Sequence, residues 1–149
     1  MADTEPRPVI LHHGDDHVDV SKPAGLAVIP ERGGTPEASL RRRLEGQLDR
    51  RLWVVHRIAR DASGLVVFAG NAESHRVLSL AFERRQVDKM YVAFAAGELA
   101  PDRGRIDVAL HAARKGKARP ARPDEPGRRE AATEYAVQGL ARIQLQVER

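Results

Sequence analysis

The sequence contains no cysteine among its 149 residues. Disulfide bonds and thiolate zinc sites are therefore excluded, and nothing in the chain requires an oxidising compartment. Aromatic residues make up only 4%, so Leu, Val, Ile and Ala have to fill the core. No apolar run approaches the roughly 20 residues of a membrane-spanning helix, and the first residues lack the apolar region of a signal peptide. We therefore expect a cytoplasmic protein with no membrane partner.

Lysine is also scarce, because only four of the 25 cationic residues are Lys. With 21 acidic residues, the formal net charge is +4. This modest excess permits a nucleic-acid partner without requiring one. The Arg bias suits bidentate phosphate contacts, although a GC-rich genome would produce the same bias.

Apolar periodicity predicts the elements of the first half of the chain. Short apolar stretches predict strands near 9–11, 17–20 and 26–29. Between the last two, residues 21–25 form a compact Pro- and Gly-containing turn. Thr35 and Pro36 are typical of a helix start, and Leu40, Leu44 and Leu48 would share one face of that helix.

The second half is predicted in the same way. Asn71 should cap a second helix that runs to about Arg85, with Val77, Leu78, Ala81 and Phe82 on its apolar face. The predicted strands are 52–56, 65–69, 89–96 and 104–110, with a closing hairpin from 132–137 and 143–147.

The irregular alternation of helices and strands favours an α+β fold, with flanking helices on a mixed, mostly antiparallel sheet. We expect one domain over 1–149, with a loose tail at 1–8. Residues 112–130 hold seven Lys or Arg, three Pro and two Gly, a composition that predicts a mobile basic loop.

Four segments carry motifs that can be compared with a known family. Residues 16–30 contain Lys-Pro-Ala-Gly followed by a Pro, and residues 56–64 read HRIARDASG. Residues 89–97 read KMYVAFAAG, and residues 130–135 read EAATEY. Each motif alone is a weak signal. In this order they resemble the RNA pseudouridine synthases of the large-subunit, RluA-like family, whose signature is His-Arg-Leu-Asp-x-x-Thr-Ser-Gly.

The resemblance implies a reaction and a site. Uridine in RNA is isomerised to pseudouridine without a cofactor, at a signature loop at the mouth of an RNA-binding cleft. The nucleotide has to be flipped out of its stack, and the Asp carboxylate of the signature then acts on the sugar–base unit. Ala59 occupies that Asp position here, and Ala62 replaces the Thr. The sequence therefore predicts an RNA-binding pseudoenzyme that is impaired or inactive.

Asp61 is the alternative carboxylate. In an extended segment it would lie about 6.5–7 Å from residue 59, whereas a misplacement of about 1 Å can lower a rate roughly a hundredfold. The family also has a later Gly-Arg-x-His-Gln-Ile-Arg stretch, whose Arg pairs with the catalytic Asp. We expect this C-terminally incomplete chain to lack that stretch. An active synthase that uses Asp61, and a non-catalytic RNA- or protein-binding remnant, stay open as alternatives.

The resemblance also implies the other site residues. Tyr91 matches the Tyr that packs against the target base, and its alternative is a Tyr on a half-buried strand. The predicted RNA contacts are Arg57, Arg60, Lys22, Lys89, Arg114, Lys115 and Lys117. A turn lysine such as Lys22 is more often solvated, and His56 is more often a structural histidine. The six His show no zinc spacing, so we expect no metal. The expected partner is ribosomal or transfer RNA, bound by a monomer.

Overall fold

The computed structural model describes residues 8–31, 33–35, 38–112 and 118–139. They fall into two compact units, Met1–Met90 and Tyr91–Arg149. The single domain expected from the sequence stays a prediction.

The first unit is built on a four-stranded antiparallel sheet with two helices. The strands are β1 (Val9–His13), β2 (His17–Lys22), β3 (Trp53–Val54) and β4 (Gly64–Ala69), in the order β1-β2-β4-β3. The helices are α1 (Leu40–Leu48) and α2 (Ala72–Glu83). The predicted strand over 52–56 is thus shortened to two residues.

The core lies on one face of this sheet. Side chains alternate between the two faces of a strand, and β2 buries Val18 and Val20 while β4 buries Val66 and Phe68. The other members of the buried core cluster are Leu26, Val28, Leu40, Leu44 and Leu52. Aliphatic residues therefore fill most of the core, as the scarcity of aromatics indicated.

Helix α1 starts later than predicted. It is preceded by Ser39 rather than Thr35, and Ser39 makes no side-chain cap bond. The N–H groups of Leu40 and Arg41 instead donate to the carbonyls of Ala27 (2.8 Å) and Val28 (3.1 Å). These donors would otherwise lack a partner at a helix start, so the preceding chain caps the helix.

The same contacts explain why residues 26–29 are not the strand we predicted. Leu26 and Val28 are buried, but the carbonyls of Ala27 and Val28 bond to α1 instead of to a neighbouring strand. The apolar pattern correctly indicated burial. It could not indicate which backbone donors would be nearby.

Two helix predictions are confirmed. Leu40 and Leu44 are fully buried and Leu48 packs against the core, as expected from their spacing of four. Asn71 caps α2 by accepting a hydrogen bond from the Ser74 N–H at 2.8 Å. The apolar face of α2 is only partly covered, since Val77 stays 51% exposed.

The described residues of the second unit form two antiparallel strand pairs. Strand β5 (Arg103–Asp107) pairs with β8 (Ala132–Ala136), and β6 (Leu110–Ala112) pairs with β7 (Ala118–Pro120). Strand β7 lies inside the range predicted as a loop. Glu125 holds that segment, because it accepts hydrogen bonds from the Arg119 side chain and the Arg122 N–H. These bonds lower the pKa of Glu125 to about 2.

Two further predictions can be placed. Residues 89–96 form no strand, and Met90, Val92 and Phe94 are more than 80% exposed. Their alternation suits a strand, but a strand also needs a partner for its backbone, and no described strand pairs with them. Residues 143–147, predicted to form a hairpin with 132–137, lie outside the described residues. The predicted N-terminal tail, 1–8, also lies outside them, apart from Pro8.

The α+β fold class is confirmed, and all strand pairs in the described part of the chain are antiparallel. Within the described ranges no helix is long and apolar enough to cross a membrane. In the same residues no three His, Asp or Glu side chains are grouped so that they could hold a metal ion.

Two glycines provide a matched test of the first unit. A Cβ at Gly70 would overlap the Asp15 carbonyl oxygen and the Arg50 side chain, whereas a Cβ at Gly46, exposed on α1, would meet nothing within 4 Å. Gly70→Ala should lower the free energy of unfolding by roughly 2–3 kcal/mol, and Gly46→Ala should raise it by about 0.5–1 kcal/mol. Urea denaturation followed by Trp53 fluorescence measures both. Equal stability of Gly70→Ala and the unmodified chain would contradict the close approach.

Candidate functional site

The signature segment, residues 56–64, connects β3 to β4. It contains a tight turn in which the Ala62 N–H donates to the Ala59 carbonyl at 3.2 Å. Ala59 and Asp61 are both exposed. Arg60 and Asp61 occupy the centre of this turn. The expected distance of about 6.5–7 Å between residues 59 and 61 assumed an extended segment, and that assumption is wrong.

Lys22 anchors this turn to the end of β2. Its side chain is fully buried, and the ammonium donates to the carbonyls of Pro23 (2.8 Å), Leu26 (2.8 Å) and Arg60 (2.9 Å). Burial lowers the pKa of Lys22 from its ordinary 10.5, while the charge of Asp61 opposes this shift. All three N–H groups have acceptors, so Lys22 acts as a structural cation.

Lys22 is therefore neither the predicted phosphate contact nor the solvated turn lysine that was its alternative. A fully buried ammonium with three carbonyl partners has no free donor for RNA. The signal was present in the sequence. In the alternating pattern of β2, Val18, Val20 and Lys22 all point to the buried face.

Arg60 also binds the 21–25 turn, at Gly25. Its backbone carbonyl accepts from the Gly25 N–H at 2.9 Å, and its Nε donates back to the Gly25 carbonyl at 2.9 Å. A second guanidinium nitrogen reaches Glu31 at 3.0 Å. Gly25 has a φ of 83°, a left-handed conformation that favours glycine. The two motifs that are separate in sequence thus form one hydrogen-bonded unit.

The neighbours of Ala59 fix its position in the turn. Ile58 packs against the core, while Ala59 lies outside it and is exposed. Gly64 opens β4 with a φ of 133° and pairs with Lys22. The segment is therefore fixed at both ends.

His56 has a structural role. Its Nε2 accepts a hydrogen bond from the Val67 N–H at 3.0 Å, at the point on β4 where the shortened β3 offers no partner. The ring also stacks on Phe82 of α2, with centroids 4.5 Å apart. Burial, and secondarily the charge of Lys89, lower the pKa of His56 below its ordinary 6.5.

The remaining predicted residues differ in their surroundings. Arg57 is exposed, with no side-chain partner among the described residues. Lys89 is also exposed. Tyr91 is 58% exposed and belongs to the second unit, so it is not on the half-buried strand of the alternative interpretation. Arg114, Lys115 and Lys117 lie outside the described residues.

A family model described as RNA pseudouridylate synthase matches residues 16–144. The chain belongs to the RNA pseudouridylate synthase family. The match contains the complete hydrogen-bonded unit formed by the 21–25 turn and the signature segment. It also agrees with the family that the four motifs indicated.

Relatives at 32–36% identity support this assignment. The chain is 36% identical to dual-specificity RNA pseudouridine synthase RluA of Vibrio vulnificus over 107 residues, which is 72% of this chain and 42% of that protein. It is 34% identical to tRNA pseudouridine synthase C of Haemophilus ducreyi over 104 residues, which is 68% of this chain and 42% of that protein. It is 32% identical to the protein of the same name from Pasteurella multocida over 137 residues, which is 91% of this chain and 55% of that protein. The chain thus spans about half the length of these relatives.

Two solved structures of family members share the fold. Human RNA Pseudouridylate Synthase Domain Containing 1 superposes with a TM-score of 0.66 at 17% identity, over 86% of this chain and 51% of that one. Human RNA Pseudouridylate Synthase Domain Containing 4 superposes with a TM-score of 0.56 at 22% identity, over 84% of this chain and 51% of that one. At such identities the likeness concerns the fold.

The role of Lys22 can be tested by Lys22→Met, which keeps the aliphatic length but removes the ammonium. The variant should lose roughly 2–4 kcal/mol of unfolding free energy, because buried carbonyls lose their donors. Urea denaturation measures this loss. Lys89→Met, at an exposed position, is the control and should change stability by less than about 0.5 kcal/mol. Equal stabilities of the two variants would contradict the structural role.

The lowered pKa of His56 predicts acid sensitivity. Between the folded-state pKa and 6.5, the unfolded chain binds more protons than the folded chain, so the free energy of unfolding should fall as the pH falls through that window. Denaturation series from pH 7.5 to pH 5 measure the slope. His56→Gln should flatten it, whereas His13→Gln, on the exposed end of β1, should keep it. The same slope in both variants would refute His56 as the source of the acid sensitivity.

Proposed function

We propose that this chain is an RNA-binding member of the pseudouridine synthase family that is impaired or inactive in uridine isomerisation. Its ligand is ribosomal or transfer RNA. The observation that carries the proposal is the methyl side chain of Ala59, exposed in the signature turn at the position where the family signature has Asp.

The chemistry gives the reason. Isomerisation requires the uracil to leave its sugar and rejoin through carbon, and the family signature supplies a carboxylate for this step. A methyl group can neither attack nor accept a proton. The hydrogen bonds of Lys22 and Arg60 that hold the turn use backbone atoms and Glu31, so they do not depend on the side chain of residue 59.

Asp61 is a poor substitute for the missing carboxylate. It lies at the centre of the turn, two residues after Ala59, and its charge acts on the buried ammonium of Lys22. Recruiting it for catalysis would weaken that electrostatic interaction and still leave the carboxylate misplaced, and small errors of placement lower rates strongly.

The proposed RNA contacts are Tyr91 and the cationic residues Arg57, Arg60, Lys89, Arg114, Lys115 and Lys117. Arg57 offers the full set of guanidinium donors, because no described residue occupies them. Arg60 retains donors beyond those given to Gly25 and Glu31. Guanidinium groups suit phosphate, which they bind in a bidentate manner.

The choice of RNA as ligand rests on the relatives, whose names describe a tRNA pseudouridine synthase and a dual-specificity RNA pseudouridine synthase. Because the chain spans about half their length, their substrates enter here only as part of the proposal. The cytoplasmic location and the monomeric state stay predictions.

Tritium release from uridine-labelled transfer and ribosomal RNA tests the activity, and fluorescence anisotropy tests binding. The unmodified chain should bind RNA but release no more tritium than a heat-inactivated sample. Ala59→Asp should raise release at least about tenfold, since loss of a nucleophile lowers rates by on the order of 10⁴-fold or more in well-studied enzymes. Ala59→Asn, of nearly the same shape but without a carboxylate, should not.

Three outcomes would contradict parts of the proposal. Release by the unmodified chain that disappears in Asp61→Asn would identify Asp61 as the catalytic carboxylate. Failure to bind any of the RNAs would remove the RNA-binding claim. If Ala59→Asp bound RNA and stayed inactive, residue 59 would not be the dominant defect.

A further inference from the structure

A basic depression lies on the first unit outside the signature segment. It is lined by Arg41, Arg42, Glu45, Asp49, Arg50 and Arg51. Four guanidinium groups face two carboxylates, which leaves an excess of two positive charges. We call this surface the α1 depression.

Glu45 positions part of this surface. Its carboxylate accepts from Arg41 Nε at 3.1 Å, from Arg42 at 3.1 Å and from the Leu52 N–H at 3.0 Å. Burial alone would raise the pKa of Glu45, but these bonds and charges lower it below its ordinary 4.5. One ionised carboxylate thus holds two guanidinium groups in place while most of their N–H donors stay available for a ligand.

Arg50 and Arg51 are held differently. Arg50 donates to the Gly14 carbonyl at 2.8 Å, which fixes it against the turn between β1 and β2. Arg51 is exposed and its guanidinium lies over the Trp53 ring, 4.9 Å from the centroid. A stacked guanidinium keeps its N–H groups in the ring plane free to donate, and no described residue occupies those of Arg51.

We propose that the α1 depression binds the phosphodiester backbone of RNA, as an accessory site separate from the signature turn. The inference rests on the proposed function in that it takes RNA as the ligand. Phosphate matches guanidinium groups in both charge and geometry. Because Glu45 and Trp53 already order three of the four Arg side chains, binding loses less side-chain entropy than it would with free arginines.

The position in the chain fits an accessory site. Arg51 lies two residues before Trp53 of β3, and the signature segment begins two residues after β3 ends, at His56. The two surfaces are therefore close to each other in the sequence. Backbone contacts made here would add sequence-independent affinity and help to position an RNA whose target nucleotide lies at the signature turn.

The test removes the two most exposed cations of the α1 depression in the full chain. In Arg42→Gln/Arg51→Gln, Glu45 keeps its bonds to Arg41 and Leu52, so the fold should be retained. The matched control is Arg76→Gln/Arg105→Gln, which removes two exposed arginines that pair with acidic neighbours elsewhere. Circular dichroism melting confirms that both variants are folded.

RNA binding is measured by anisotropy between 50 and 300 mM salt. Each lost phosphate contact should reduce the magnitude of the negative slope of log affinity against log salt by about 0.7–0.9. The slope of the double variant should therefore be smaller in magnitude by about 1.5, and the slope of the control should be unchanged. Trp53, the only tryptophan, should change its emission when the unmodified chain binds RNA, because a phosphate that engages Arg51 alters the stacked pair.

The outcomes separate the two proposals. No RNA binding by the unmodified chain overturns both. Binding by the unmodified chain with the same salt slope in the double variant overturns the accessory site alone. An unchanged RNA slope together with lost binding of polyglutamate would identify an acidic protein segment as the occupant and would also refute the RNA assignment.

Discussion

The ammonium of Lys22 connects the parts on which the candidate site depends. It reaches three backbone carbonyls, in the 21–25 turn, in the segment before α1 and in the signature turn. A buried cation is tolerated only when hydrogen bonds replace its water. The turn and the signature segment are therefore held in one geometry, since separating them would leave a desolvated charge and several unpaired carbonyls.

This arrangement separates scaffold from chemistry. The bonds that shape the signature turn involve the side chains of Lys22 and Arg60, whereas residue 59 contributes only its carbonyl. A family member can therefore exchange the side chain at residue 59 without losing the turn. The proposal of an RNA-binding chain that keeps the family scaffold but lacks the carboxylate is physically consistent for this reason.

Local pattern predicted the elements whose partners are near in sequence. The cap of α2 by Asn71 is a contact over three residues, and the leucine stripe of α1 follows from helix periodicity. Predictions failed where the partner is distant. Residues 26–29 cap α1 instead of forming a strand, and residues 89–96 carry a strand pattern without a described neighbour to pair with.

The amino-acid sequence by itself determined the family, the fold class and the identity of residue 59, because these depend on residue types, their order and their spacing. Tertiary structure decided that Lys22 is a buried structural cation, that His56 replaces a strand partner and that Asp61 sits in a turn. Each of these depends on backbone groups brought together from remote parts of the chain. Such groups leave no local trace in the sequence beyond the alternation of β2, which placed Lys22 on the buried face.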